Sequence, residues 1–158
     1  MSSGTLCKQV KASYALSKTI LPDLDYSLNP YFGCGFGCVY CYARKFFFMR
    51  NIPHQWGEYV EAKVNLPSLL TKQLMGVPER STIGVGTATD PYQPFEAEHR
   101  LTRRALNILR SRQDLEIDIQ TKSTLILRDV ELLASCDTVS VGFTILTADD
   151  ARARIVES

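Results

Sequence analysis

The sequence predicts an α/β fold in which parallel strands form a partial (β/α) barrel. Three strand–helix pairs follow one another after residue 80, and this alternation is typical of parallel strands joined by right-handed crossovers. Within these strands apolar residues alternate with small or polar ones, whereas parallel strands covered on both faces are usually apolar throughout. We therefore expect helices on one face of the sheet and a ligand cavity on the other.

The first half of the chain shows weaker patterns. Residues 1–24 are predicted to form an irregular lead-in, and residues 25–158 a core domain. In this half the core is predicted to contain a strand at 26–30, a helix at 42–50, an extended segment at 58–64 and a helix carrying Leu66, Leu69, Leu70 and Leu74.

The second half carries the clearest periodicity. Strands are predicted at 81–87, 115–121 and 139–145, and amphipathic helices around Leu101–Leu109, Val130–Ala134 and Ala148–Val156. In the middle strand Ile117 and Ile119 alternate with Asp118 and Gln120. The polar positions are predicted to face the cavity.

The last predicted strand has no later strand to cover its edge. Because an exposed apolar edge promotes aggregation, we expect the fold to be truncated after about four strand–helix units. A missing C-terminal half or a partner chain is expected to cover this edge.

Composition limits the classes of function. The chain has 158 residues, 45% of them hydrophobic, and a net charge of +1, so it is not a polycationic nucleic-acid binder. The segment Phe46–Met49 is too short to span a bilayer, and the N-terminus has no secretory h-region. Five cysteines without a signal peptide favour a reducing compartment. We predict a cytoplasmic protein without membrane contact.

Three cysteines carry the predicted chemistry. Cys34, Cys38 and Cys41 follow a C-x₃-C-x₂-C spacing, and neighbouring glycines permit tight turns. Three thiolates leave a 4Fe–4S cluster with one iron free to bind a ligand. The alternative is a non-catalytic zinc or iron–sulfur module, in which His54 or Cys7 completes a zinc site.

The segment NPYFGCGFGCVYCYAR, residues 29–44, resembles the radical S-adenosylmethionine (SAM) superfamily, in particular its spore-photolyase-like branch. Further similar segments include GTATDPYQPFE at 86–96, TKS at 121–123 and LRD at 127–129. The similarity runs from Tyr26 to the C-terminus, as in the N-terminal part of such a protein.

The resemblance implies a fold, two cofactors and a set of residues. The fold is the partial barrel of the radical SAM type, and Cys34, Cys38 and Cys41 would hold a 4Fe–4S cluster. SAM would bind the fourth iron and be cleaved reductively to a 5′-deoxyadenosyl radical, which takes hydrogen from a substrate. An electron donor such as flavodoxin or ferredoxin is implied as a partner. The residues implied to contact SAM are Tyr40, Thr89, Asp90, Lys122 and Thr144.

The substrate is not determined by the sequence, and nucleic acid is one candidate. Spore photolyase carries a cysteine before the segment that matches Thr89 and Asp90, but this chain has Gly86, Thr87 and Ala88 there. Thymine-dimer repair through that cysteine is therefore not expected. A third hypothesis is nucleic-acid binding through the basic and aromatic residues 44–50. Core packing is the favoured interpretation of those aromatic residues.

Overall fold

The computed structural model describes residues 4–157 as an α/β fold with two sheets. The larger sheet has five strands in the spatial order β2-β3-β6-β7-β8, and the smaller has three in the order β1-β5-β4. In the larger sheet the last four strands are parallel, and β2 is antiparallel to β3. Within the described residues this sheet stays open, with β2 and β8 at its edges. The predicted α/β partial barrel is confirmed.

The elements alternate along the chain. The strands are β1 (Leu6–Val10), β2 (Leu16–Lys18), β3 (Tyr26–Leu28), β4 (Tyr31–Phe32), β5 (Tyr59–Lys63), β6 (Thr82–Val85), β7 (Glu116–Thr121) and β8 (Val139–Phe143). The helices are α1 (Arg44–Met49), α2 (Leu66–Leu74), α3 (Glu96–His99), α4 (Leu101–Leu109), α5 (Val130–Ala134) and α6 (Asp150–Val156). A 3₁₀ helix over Thr124–Asp129 precedes α5.

The prediction of an irregular lead-in was wrong for two segments. Strand β1 pairs in parallel with β5, and β2 pairs antiparallel with β3. Strand β1 has no buried residue, so it is not stabilised by an apolar face. It is stabilised instead by backbone hydrogen bonds to β5, about fifty residues further along the chain. Such long-range pairing leaves little trace in the local sequence. The boundary between a lead-in and a core domain stays a prediction.

The strand faces follow the predicted alternation. Ile83, Ile117 and Ile119 are buried in the main core, together with residues of α2 and α4 such as Leu70 and Leu106. The opposite face carries Gly84, Asp118 and Gln120, which line an open cavity. The helices thus cover one face of the sheet, and the other face remains available for a ligand.

Strand β8 differs from its neighbours because its apolar side is only partly covered. Val141 is 37% exposed and Phe143 is 52% exposed. They line an apolar groove of about 480 Å³ with Leu127, Val130 and other residues of the preceding helices. The exposed edge that the sequence predicts is thus present in the described part of the chain. None of the helices within residues 4–157 is long and apolar enough to cross a membrane.

Candidate metal and cofactor site

A cavity of about 420 Å³ opens at the carboxyl ends of the parallel strands. This is the position at which barrel folds place their active sites. All eight residues proposed from the sequence line it, namely Cys34, Cys38, Tyr40, Cys41, Thr89, Asp90, Lys122 and Thr144. They come from four separate parts of the chain, and the fold brings these parts together around one cavity. Their roles as ligands stay predictions.

The cysteine loop between β4 and α1 is a succession of tight turns. The carbonyl of Cys34 accepts a hydrogen bond from the amide of Gly37 at 3.2 Å, and the carbonyl of Cys38 accepts one from the amide of Cys41 at 3.2 Å. The carbonyl of Cys41 accepts one from the amide of Arg44 at 3.3 Å. One turn therefore starts at each cysteine.

Two glycines make this path available. Gly33 has a φ of 77° and Gly37 a φ of 58°, in the region that favours glycine. A Cβ at Gly33 would lie 2.4 Å from the carbonyl oxygen of Tyr59. The start of the loop therefore lies directly against β5, and a larger residue at Gly33 would displace it.

Buried polar side chains after β6 hold the loop in place. The hydroxyl of Thr89 donates to the carbonyl of Gly33 at 2.6 Å. The side-chain oxygen of Gln93 accepts from the amide of Gly35 at 2.8 Å, and its amide donates to Thr89 Oγ1 at 3.0 Å. Gln93 is fully buried, and sequence reasoning assigned it no role. Gln93 lies in the segment 86–96 that carries the resemblance, and this position is the sequence signal that could have revealed its role.

A cysteine binds a metal as the thiolate, so each of the three thiols must lose its proton first. Cys34 and Cys38 are buried, and Cys41 is half-buried. Burial raises the pKa of Cys34 to about 12 and raises the pKa of Cys41 above its usual range. A metal that binds here must displace these protons, so its affinity would fall at acidic pH.

Three cysteine thiols are the donors that an iron–sulfur cubane uses. In the described part of the chain no three histidine, cysteine or acidic side chains converge on a single-ion position. In a cubane each thiolate binds a different iron, so convergence on one point is not required. Cys7 lies on β1 with its sulfur 3.4 Å from His99 Nε2, and His54 stacks on Tyr59. Neither residue lines the cavity, so the proposed fourth zinc ligands are not assembled.

Asp90 joins the loop after β6 to the end of β7. Its carboxylate accepts hydrogen bonds from the Thr121 hydroxyl at 2.6 Å and from the Lys122 and Tyr92 amides at 2.9 and 2.8 Å. Burial raises the pKa of Asp90 above its usual range, although these hydrogen bonds act in the opposite direction. The carboxylate therefore already has protein partners on both oxygens, and it fixes the backbone that carries Lys122.

Lys122 places an ammonium group in the cavity. Its Nζ lies 2.5 Å from the hydroxyl of Tyr40 and 2.5 Å from Glu157 Oε1, and it sits 5.0 Å from the centre of the Tyr40 ring. Burial acts to lower the pKa of Lys122, but the hydrogen bonds with Glu157 and Tyr40 outweigh it and raise the pKa. Lys122 is thus charged and already in contact with a carboxylate.

Thr144 follows β8 directly. Its amide donates to the carbonyl of Thr121 at 3.0 Å, which extends the β7–β8 pairing by one residue. This pairing places Thr144 at the rim of the cavity.

Asn29 is a further residue to which sequence reasoning gave no role. Its side chain donates to the Thr87 hydroxyl at 2.9 Å and accepts from the Ala88 amide at 2.8 Å. Its backbone carbonyl accepts from Lys63 Nζ at 2.8 Å. Asn29 therefore shapes the cavity wall formed by Thr87 and Ala88. Asn29 is the first residue of the cysteine segment, and this position is the sequence signal that could have revealed its role.

A buried ion network supports the same wall from behind. Glu96 and Asp129 have fully buried side chains, and Arg128 pairs with both at 3.0 and 2.9 Å. Glu96 also accepts from the hydroxyl of Tyr31 at 2.6 Å, which links the network to β4 and the cysteine loop. Arg103 pairs with Asp129 from α4. Glu96 and Asp129 end two of the segments that carry the resemblance, and their side chains hold this network together.

The fold and the site together define a class of protein. It is a partial (β/α) barrel with a three-cysteine loop and a lysine at the carboxyl ends of its strands. The family model described as the radical SAM superfamily matches residues 28–157, and the chain belongs to that superfamily.

Two relatives of unknown function illustrate the match. An uncharacterized protein of Methanocaldococcus jannaschii is 35% identical over 145 residues, which cover 92% of this chain and 53% of that protein. An uncharacterized protein of Mycobacterium bovis is 32% identical over 139 residues, which cover 84% and 41%. The chain thus spans about half the length of the curated relatives that it matches.

Solved structures of spore photoproduct lyase resemble the chain. The complex with dinucleoside spore photoproduct superimposes with a TM-score of 0.71 at 14% identity, over 96% of this chain and 42% of that chain. A mutant with bound AdoMet and the same dinucleoside superimposes with a TM-score of 0.64 at 16% identity, over 94% and 42%. The expected radical SAM and spore-photolyase-like fold is confirmed.

Proposed function

We propose that the chain binds a 4Fe–4S cluster through Cys34, Cys38 and Cys41 and binds SAM in the adjoining cavity. The observation that carries this proposal is the meeting of the three cysteines and Lys122 around one cavity. When bound, the cluster and SAM supply a one-electron cleavage of SAM to methionine and a 5′-deoxyadenosyl radical, which takes hydrogen from a substrate. The protein supplies orientation, charge and exclusion of water.

The contacts of Lys122 support its role in binding the SAM carboxylate. Its ammonium pairs with the Glu157 carboxylate, so a carboxylate fits this position. The ring of Tyr40 lies beside the same ammonium and would border the adenosine part of SAM. Thr89 and Asp90 have side chains committed to the cysteine loop and to β7, so in this proposal they act by holding the loop and the end of β7. Thr144 would contact the ribose from the cavity rim.

Nucleic acid is the substrate class that we propose to test first. The spore photoproduct lyase structures contain a dinucleoside lesion, and the chain shares their fold. Among the described residues the cysteines that line the cavity are the three proposed ligands. A separate thiol for returning hydrogen to a repaired base is therefore not part of the proposed site.

The first test concerns the cluster. Anaerobic reconstitution should yield about four irons and four sulfides per chain. A Cys34→Ala, Cys38→Ala, Cys41→Ala triple variant should lose both, whereas Cys136→Ala, which alters a cysteine outside the cavity, should keep them. Equal iron content in the triple variant and the wild type would show that these three cysteines do not bind the cluster.

The second test concerns SAM. The reconstituted chain, given dithionite and SAM, should release 5′-deoxyadenosine. Lys122→Met should weaken SAM binding about tenfold or more, because a hydrogen bond to a charged group is lost. A chain that binds a cluster but never cleaves SAM would instead be the non-catalytic metal-binding module. The cytoplasmic location stays a prediction that these experiments do not address.

A further inference from the structure

The cavity continues along the sheet beyond the residues proposed to contact SAM. Its inner part is lined by Gly84 of β6, by Asp118 and Gln120 of β7, and by Leu24 from the loop between β2 and β3. We call the part lined by these four residues the inner cavity. Asp118 comes four residues before Lys122, which corresponds to about 13 Å along an extended strand. A ligand group bound at Asp118 would therefore leave the position proposed for the SAM carboxylate available.

The inner cavity places apolar contacts beside a carboxylate. Gly84 and Asp118 are direct neighbours in the register of β6 and β7. A Cβ at Gly84 would lie 2.5 Å from Leu24 Cδ1, so the Leu24 side chain rests on this glycine. The same Cβ would lie 2.9 Å from the methyl group of Thr87, whose carbonyl accepts a hydrogen bond from the hydroxyl of Tyr42. An apolar ring can therefore contact Leu24 while its edge faces Asp118.

The carboxylate of Asp118 is oriented by neutral groups. Gln120 Nε2 lies 3.2 Å from each of its oxygens, and the hydroxyl of Ser140 donates to Oδ1 at 3.1 Å. A Cβ at Gly142 would lie 2.4 Å from Gln120 Oε1, so the Gln120 amide extends over β8 beside Asp118. The two side chains thus present a carboxylate and a carboxamide next to each other on the face that lines the cavity.

The charge of Asp118 is not balanced by a neighbouring cation. Within residues 4–157 no lysine, arginine or histidine forms an ion pair with it. Hydrogen bonds to a charged group are stronger than those between neutral groups. A ligand that presents N–H donors to this carboxylate is therefore favoured over one that presents carbonyl oxygens.

We propose that the inner cavity binds guanine, the base whose pairing edge presents one acceptor beside two N–H donors. This inference rests on the proposed function, in which nucleic acid is the substrate class, and it names the base that is recognised. Asp118 accepts hydrogen bonds from N1–H and from the exocyclic amine. The Gln120 amide has two hydrogens, so one bonds guanine O6 while the other stays directed at Asp118. Leu24 contacts the ring.

The other bases do not match this pair of side chains. Adenine and cytosine each present a single donor group on the pairing edge, and thymine presents one N–H between two carbonyl oxygens. Each of them would place an acceptor against the Asp118 carboxylate, which leaves polar groups unpaired. An arginine guanidinium has paired N–H donors, but it offers no acceptor to the Gln120 amide.

The exposed phenylalanines of α1 form a different surface. Phe47 is buried, but Phe46 and Phe48 are 47% and 54% exposed, so core packing was wrong for two of the three phenylalanines. None of the residues 44–50 lines the cavity. A base stacked on α1 would therefore lie outside the proposed cofactor site, and we place base recognition in the inner cavity.

The test compares guanosine and inosine 5′-monophosphates, which differ only in the exocyclic amine. In calorimetry the wild type should bind the guanosine nucleotide about tenfold more tightly. Asp118→Asn, which keeps the shape of the side chain, should weaken guanosine nucleotide binding about tenfold or more and should abolish the preference over inosine. The matched control is Glu116→Gln, on the same face of β7 but outside the cavity lining, which should keep both affinities.

The nucleotides are measured on the chain before and after reconstitution, which separates this inference from the proposed function. A chain that takes up no iron would overturn the proposed cofactor site, while the nucleotide comparison would still decide the inner cavity. Equal affinity of the wild type for guanosine, inosine and thymidine 5′-monophosphates would overturn the inference and leave nucleic acid as the proposed substrate class. Unchanged guanosine nucleotide binding in Asp118→Asn would also overturn it. So would tighter binding of arginine amide than of the guanosine nucleotide, if Asp118→Asn abolished it.

Discussion

At the scale of single residues, the cysteine loop depends on side chains outside the proposed ligand set. Gln93 uses both ends of its amide inside the protein, since its oxygen accepts from the Gly35 amide and its nitrogen donates to Thr89. Thr89 in turn donates to the carbonyl of Gly33. A buried amide of this kind is stabilising only while all its partners are present. The geometry of the loop is therefore sensitive to one uncharged residue.

Gln93→Leu should destabilise the chain by about 1–3 kcal/mol, because the amide of Gly35 loses its buried acceptor. The iron content after reconstitution should fall as well, since the loop is no longer held. Urea unfolding and iron analysis measure the two effects. Gln113→Leu, at an exposed position, should change the free energy of unfolding by less than about 0.5 kcal/mol. Equal results for the two variants would mean that Gln93 does not hold the loop.

At the scale of elements, an ion network joins α3, α4 and the 3₁₀ helix behind the cavity wall. Burial acts to raise the pKa of Asp129, but hydrogen bonds from Arg128 and Arg103 outweigh it and hold the pKa below its usual range. Because Asp129 has a lower pKa in the folded state than in the unfolded state, it contributes stability above its unfolded pKa. That contribution is lost as the pH falls through the folded pKa.

The free energy of unfolding should therefore fall as the pH is lowered from neutral to below about 4. Asp129→Asn should cost about 3–5 kcal/mol at pH 7, because Arg128 and Arg103 lose a buried partner, and should reduce the acid-dependent part of the fall. Unfolding curves in urea at a series of pH values measure both effects. Asp137→Asn, an exposed carboxylate outside the network, serves as the control. A variant at Asp129 with the same pH slope as the wild type would contradict the assignment.

At the scale of the whole molecule, the open edge at β8 leaves apolar side chains of the larger sheet exposed. Its apolar groove continues from the 3₁₀ helix and α5 onto the exposed side of the strand. An uncovered apolar edge offers both backbone groups and side chains to another chain. A further part of the protein or a partner chain remains our proposal for what covers it.

The chain should accordingly self-associate as its concentration rises, and Phe143→Lys should suppress this by placing a charge on the β8 edge. Sedimentation velocity over a range of protein concentrations measures the effect. Met75→Lys changes an exposed apolar residue after α2, outside the groove, and should leave self-association unchanged. Equal self-association of the two variants and the wild type would argue against the β8 edge as the surface of self-association.

Strand β4 and helix α3 were not predicted from the sequence. The sequence by itself determined the three strand–helix pairs after residue 80, the two faces of β6 and β7, and the positions of the three cysteines. These features are periodic or local, so neighbouring residues are enough to reveal them. Only the tertiary structure decided the β1–β5 pairing, the hold of Gln93 on the loop, the contact of Lys122 with Tyr40, and the exposure of Phe46. Each of these depends on packing or on residues far apart in the chain. Such contacts have no fixed spacing, and they leave no periodic pattern in the sequence.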